Sequence, residues 1–164
     1  MSARFDIDLE DLQERHRKIS RAVHPDRFAG ADPRTRRMAL EQSMLANDAY
    51  NTLKNPVSRA RYLLVLNGVL QSDDDKELGQ APQMFLMEMM ELREELEDAD
   101  GEKKAKSLAD LKSRRDEAVS ELGQLFGNSD GSGESLEPVR AQLAKLKYID
   151  SILNQFADRP ELRG

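Results

Sequence analysis

His24-Pro25-Asp26 sets an imidazole and a carboxylate two positions apart with a proline between them. Proline fixes its own φ and offers no N–H, so a turn built on it is stiff. A carboxylate held at the tip of such a turn suits paired hydrogen bonds to a guanidinium on another protein. The competing reading is an ordinary inter-helix turn in which Asp26 caps locally. Arg15, Arg17, Lys18 and Arg21 come just before it. At ~100° per residue, Arg17 and Arg21 share a face turned away from Leu12, Ile19 and Val23, with Lys18 and Glu14 flanking them. Such a face either steers an acidic partner or is simply solvated.

A second constellation runs from Phe85 to Leu96. With Phe85 placed at 0°, Met89, Leu92 and Leu96 fall within about 40° of it at helical rotation, which makes a core stripe. Leu86 then falls near ~100°, Met90 near ~140° and Met87 near ~200°, away from that stripe. Glu94 accompanies them. Apolar side chains outside a core and edged by carboxylates read as a contact patch, and methionine suits an adaptable one. Tyr148, roughly 140° from the Leu146 and Leu153 stripe of a later helix, extends it. The alternative is that another part of the chain covers these residues.

Other chemistries find no residues. The 164-residue chain has no cysteine, which excludes disulfides, thiolate metal sites and a cysteine nucleophile. His16 lies on an apolar stripe, and His24 has only Asp26 near it. Asp73-Asp74-Asp75 lacks the ligand spacing of a calcium loop and reads as solvated linker. There is no Gly-rich phosphate loop and no nucleophile–base pattern. The expectation is a protein that is not an enzyme, with no catalytic residue, no metal and no cofactor. The net charge of −6 argues against nucleic acid as a partner. The longest apolar run, Tyr62-Leu63-Leu64-Val65-Leu66, is far short of a membrane span. No apolar signal segment opens the chain, so a cytoplasmic location is expected. Charge is also unevenly spread. Residues 1–67 hold 12 Lys and Arg against 9 Asp and Glu, and residues 68–164 hold 13 against 22. Two modules facing different partners would carry such an imbalance.

The elements that must position these groups are helical. Charged residues make up 34% and aromatics 5%, too few β-formers for a large sheet. Leu9, Leu12, His16, Ile19 and Val23 form one helical stripe. Asp32-Pro33 reads as N-cap and first residue of a second helix, through Met38, Leu45, Ala49 and Leu53. Asn55-Pro56 stops it and starts a third. Residues 71–81 read as a linker. Three amphipathic helices follow from residue 82 to 164, broken by a flexible Gly127–Gly133 loop, and short connections predict an antiparallel bundle. The predicted class is all-α, with two lobes.

Taken together, residues 1–70 resemble a J domain. The likeness rests on the basic helix, His24-Pro25-Asp26, Arg27-Phe28, the Asp32-Pro33 restart, Asn47-Asp48-Ala49-Tyr50-Asn51-Thr52-Leu53, Asn55-Pro56, Arg59-Ala60 and Tyr62-Leu63-Leu64. With Phe85-Leu86-Met87-Glu88, Glu91-Leu92-Arg93-Glu94-Glu95-Leu96 and Lys147-Tyr148-Ile149-Asp150, nearly the whole chain is similar to the HscB family, J-type co-chaperones of iron–sulfur cluster assembly. The resemblance implies that His24, Pro25, Asp26, Arg17, Lys18 and Arg21 engage the DnaK-type chaperone HscA and stimulate its ATPase. It implies that Leu86, Met87, Met90, Glu91, Glu94 and Tyr148 hold the scaffold protein IscU. A monomer is expected. The family usually has Leu at position 90 and Phe at 148. Family members begin with an aromatic segment ending Gly-Leu-Pro, the first J-domain helix; the sequence here starts just after it. Without that helix, part of the apolar face of the next two helices is expected to be exposed. A general J-domain co-chaperone with another client on the bundle is the alternative, although such proteins carry Gly/Phe linkers or Cys-rich modules that are absent here.

Overall fold

The computed structural model describes residues 4–72 and 75–157, and among these there is no strand. The helices are α1 (Leu9–Ala22), α2 (Pro33–Lys54), α3 (Pro56–Leu66), α4 (Gln83–Asp98), α5 (Gly101–Asn128) and α6 (Gly133–Ala157). Short 3-10 turns cover Pro25–Phe28 and Asp75–Leu78. Asp73, Asp74 and residues 158–164 lie outside the described residues.

Local chemistry accounts for where the first helices start. Asp8 accepts from the backbone N–H of Glu10 and Asp11. Asp32 accepts from Arg34 and Thr35 backbone N–H groups and from the Thr35 hydroxyl at 2.6 Å. The hydroxyl bond is the main reason its carboxyl is held below the usual carboxylate range. Asn55 caps α3 through Val57 and Ser58. Pro33 and Pro56 open their helices, where a missing N–H costs nothing.

Helices α1 and α2 pair as a hairpin. The His16 ring stacks on Tyr50 at 4.2 Å between centroids, and His16 Nε2 lies 2.9 Å from Asn47 Oδ1. Of the Met38, Leu45, Ala49 and Leu53 stripe that periodicity suggests for α2, only Leu53 turns inward. Ala39 is buried and Ala46, Tyr50 and Leu53 are half-buried, a face turned about 100° away. Small residues there let the two backbones approach. Met38, Met44 and Leu45 are each more than half exposed, and α1 buries no residue fully.

Two buried cores lie elsewhere, and neither is confined to an N-terminal lobe. In one, Ala60, Leu63 and Leu64 of α3 pack with Leu122 of α5 and Val139 and Leu143 of α6. In the other, Met89 and Leu96 of α4 meet Leu111 of α5 and Ile149, Ile152 and Phe156 of α6. So α3 touches α2 on one side and the bundle on the other. Phe5 joins the first core. It stacks on Phe126 at 5.1 Å, and the buried Arg59 guanidinium stands 4.8 Å over its ring. Burial pushes the Arg59 pKa down, opposed by the charge of Asp6.

Both expected loops are more ordered than their composition suggests. In the linker, the Glu77 carboxylate accepts from the Gln71 and Ser72 backbone and the Ser72 hydroxyl, while Leu70, Leu78 and Ala81 are buried. Arg140 of α6 donates to the Glu77 carbonyl. Between α5 and α6 only Ser129–Ser132 are non-helical, so Gly127 and Gly133 belong to helices rather than to a flexible loop. Asp130 accepts from the Ser135 hydroxyl at 2.7 Å and the Ser132 backbone at 2.8 Å. Gly131 takes the left-handed conformation, φ +84°, that closes the turn.

Candidate functional site

The His24-Pro25-Asp26 turn is held from inside. His24 is the N-cap of the 3-10 turn, and its Nδ1 accepts the Asp26 backbone N–H at 3.3 Å. A ring nitrogen used this way leaves the imidazole proton on Nε2. The Arg27 backbone N–H donates to the His24 carbonyl, and Ala29 to that of Asp26. Arg27 Nη1 donates to the Arg21 carbonyl at 3.0 Å, at the end of α1. The Asp26, Arg27 and Ala29 backbone N–H groups and the Nδ1 of the imidazole are thus engaged, whereas the Asp26 carboxylate is 91% exposed. It stands 3.7 Å from His24 Nδ1, too far for a hydrogen bond. The arrangement presents one anionic fork on a stiff mount.

The cations of α1 divide into two kinds. Arg15 pairs with Asp11 at 2.8 Å and Lys18 with Glu14 at 2.7 Å, each one helical turn apart. Arg17 and Arg21 are exposed and form no ion pair among the described residues. They are the open part of the basic face, and Lys18 is partly neutralised where it stands.

The second set of residues lies on the bundle. Leu86, Met90 and Tyr148 line one groove of about 290 Å3 between α4 and α6, together with Arg93, Ile152 and Gln155. Met90 is 64% exposed and Tyr148 38%. Met87 is exposed on the outward side of α4 and does not line the groove. Glu91 and Glu94 line a separate hollow at the α4–α5 turn with Glu95, Asp98, Asp100 and Lys103. The six residues therefore do not share a single pocket: Leu86 and Met90 of α4 meet Tyr148 of α6 in an apolar groove, Glu91 and Glu94 form an acidic flank on α4, and Met87 stands exposed outside both. Sequence reasoning missed Ile152 and Gln155. They follow Tyr148 by four and seven positions, so helical spacing from Tyr148 would have found them.

A family model described as the HSCB C-terminal oligomerisation domain matches residues 81–157. The co-chaperone protein HscB homolog of Shewanella loihica is 38% identical over 160 residues, covering 96% of this chain and 82% of that protein. The solved chaperone HscB from Vibrio cholerae has a TM-score of 0.77 at 34% identity, over 96% of this chain and 91% of that one. Human co-chaperone protein HscB has a TM-score of 0.82 at 30% identity, over 95% of this chain and 76% of that one. The N-terminal J domain and C-terminal helical bundle are those of HscB, and the chain belongs to the HscB family of co-chaperones.

Proposed function

We propose that the chain carries the iron–sulfur scaffold protein IscU on the α4–α6 surface and brings it to the DnaK-type chaperone HscA. Asp26 pairs with an arginine of that chaperone, and Arg17 and Arg21 lie along an acidic surface beside it. Stimulation of ATP hydrolysis follows from a shift in the chaperone's conformational balance, since a ligand moves an equilibrium only by preferring one of its states. The reading asks no bond chemistry of this chain and places it in the cytoplasm, with residues 1–70 as the chaperone-facing module, 71–81 as the connection and 82–164 as the scaffold-facing one. It takes the chain as a monomer whose bundle associates with a different protein.

The observation that supports it best is the 91% exposed Asp26 carboxylate on a turn pinned by hydrogen bonds to His24 Nδ1 and from Arg27 Nη1. Single-turnover ATP hydrolysis by HscA, measured alone, with this protein and with this protein plus IscU, tests the reading. Hydrolysis should accelerate with the protein and further with IscU. A rate unchanged by both additions would refute it.

A further inference from the structure

With no cysteine among 164 residues, the methionine thioethers are the softest electron donors the chain offers an oxidant. Which of them reacts depends on exposure, and α4 sorts its methionines sharply. Met89 is 2% exposed and belongs to the core, whereas Met84, Met87 and Met90 are 85%, 55% and 64% exposed. Met90 is also a wall of the groove that holds Leu86 and Tyr148. One side chain is therefore both open to a dissolved oxidant and part of an apolar contact surface.

We infer that Met90, flanked by the exposed Met87 one turn earlier, is an oxidative modification site whose sulfoxide releases the partner protein from the groove. The inference rests on the docking role proposed above. The reaction is transfer of one oxygen atom from a peroxide. The sulfur lone pair attacks a peroxide oxygen, the O–O bond breaks and an S–O bond forms. The sulfur loses two electrons, and the peroxide is reduced to water or an alcohol. An apolar, flexible thioether becomes a polar, chiral group. That group must give up water to lie against an apolar partner, and an acceptor buried without a donor is costly. Thiol-dependent methionine sulfoxide reductases reverse the change, so the state of the groove tracks the peroxide level. Leucine at position 90 would fill similar space without this chemistry.

Met38 and Met44 on α2 are exposed to a similar degree, so the test must resolve sites. The full chain is treated with hydrogen peroxide, the oxygen gained by each methionine is read by peptide mass spectrometry, and IscU is titrated calorimetrically before and after. Met87 and Met90 should gain oxygen well ahead of Met89, and affinity for IscU should then fall about tenfold or more. A Met87→Leu, Met90→Leu double variant, compared with itself across the same treatment, should keep its own affinity while Met38, Met44 and Met84 are oxidised. Methionine sulfoxide reductases of both epimer specificities, with dithiothreitol, should restore the wild-type affinity. Full oxidation of Met90 with affinity unchanged overturns the inference, and so does an equal loss in the double variant. If the untreated protein does not bind IscU, the docking role itself fails and the inference falls with it, a result distinct from the other two.

Discussion

Arg27 Nη1 donates to the backbone carbonyl of Arg21 at 3.0 Å, which fastens the turn carrying Asp26 to the last turn of α1. The carbonyls at a helix end have no intrahelical donor, so a guanidinium there satisfies one of them and complements the helix dipole. The bond also joins the turn to the exposed basic face of α1, because Arg21 is one of that face's open cations.

The first prediction separates charge from mounting. Asp26→Asn keeps the shape of the turn and removes the charge, and charge-assisted bonds are the stronger kind. Stimulation of HscA should fall to background while the circular dichroism spectrum is unchanged. Arg27→Ala leaves the Asp26 charge but loosens its mount, and stimulation should drop by roughly severalfold rather than vanish. Single-turnover hydrolysis measures both. Full stimulation by Asp26→Asn would remove the carboxylate from the mechanism.

Arg17→Ala combined with Arg21→Ala should weaken HscA docking by about five- to tenfold at low salt and much less at high salt, because exposed charges act over a screened distance. Lys18→Ala should do less, since its ammonium already pairs with Glu14 at 2.7 Å. Biosensor titrations across an ionic-strength series decide it. Docking that is equally weak at every salt would point to packing rather than attraction.

Phe5→Ala should destabilise the fold by about 3 kcal/mol, at the lower end for a buried aromatic. Its ring lies between Phe126 and the Arg59 guanidinium, so truncation opens a cavity and strips the cation of its aromatic face. Urea unfolding followed by far-ultraviolet circular dichroism gives the number. Below the transition, affinity for IscU should be unchanged, because the α4–α6 groove belongs to the other core. A midpoint equal to wild type would mean that Phe5 is not tied down in solution.

How much of this was open to sequence reasoning depended on range. Asp32-Pro33 and Asn55-Pro56 were legible because a cap and its helix lie within four residues of each other. The inward face of α2 was not, because two apolar faces share that helix and the choice between them is made by packing against α1, where His16 meets Tyr50 and Asn47. The role of Phe5 was hidden for the same reason, since its partners Arg59 and Phe126 are far away in the chain. The Glu77 and Asp130 turns look loose in sequence because Ser, Asp and Gly content reads as flexible, whereas their order comes from side-chain bonds that composition does not show. The exposure of Met90 and Tyr148 followed from rotation per residue alone, whereas Leu86, set on the same side, is half-buried. That Met87 stands outside their groove did not, since it depends on where α6 lies.

Asp130 gives a pH prediction with a definite sign. Bonds from the Ser135 and Ser132 side chains and the Ser132 backbone hold its pKa at about 2, below the ordinary 3.8. A pKa lowered by folding contributes stability that is fully present above the unfolded value and is lost as pH falls through the folded one. Asp130→Asn should therefore be less stable than wild type by a constant amount from neutral pH down to about pH 4, with the gap closing toward pH 2. Urea midpoints of both proteins across that range measure it. A gap that stays constant down to pH 2 would show that the loss comes from the altered turn and not from the charge.

The last prediction concerns the bundle surface. Leu86 and Met90 face the groove with Tyr148, and Met87 is exposed beside it on the outward arc of α4. Changing Leu86, Met87 and Met90 together to Ala removes the apolar side chains and leaves the acidic flank. Partly desolvated anchors contribute ~1–2 kcal/mol each and do not add fully, so affinity for IscU should fall by about two orders of magnitude. The loss should be uneven among single variants, greater for Leu86→Ala and Met90→Ala than for Met87→Ala, because only the first two line the groove. Helix content should hardly change. Alanine is the best helix former, and the buried Met89 and Leu96 that fasten α4 to the core are untouched. Stimulation of HscA by the triple variant alone should remain, and only the added effect of IscU should disappear. Calorimetric titration together with the hydrolysis assay separates the two surfaces. Unchanged affinity would place the scaffold contact on another face of the bundle.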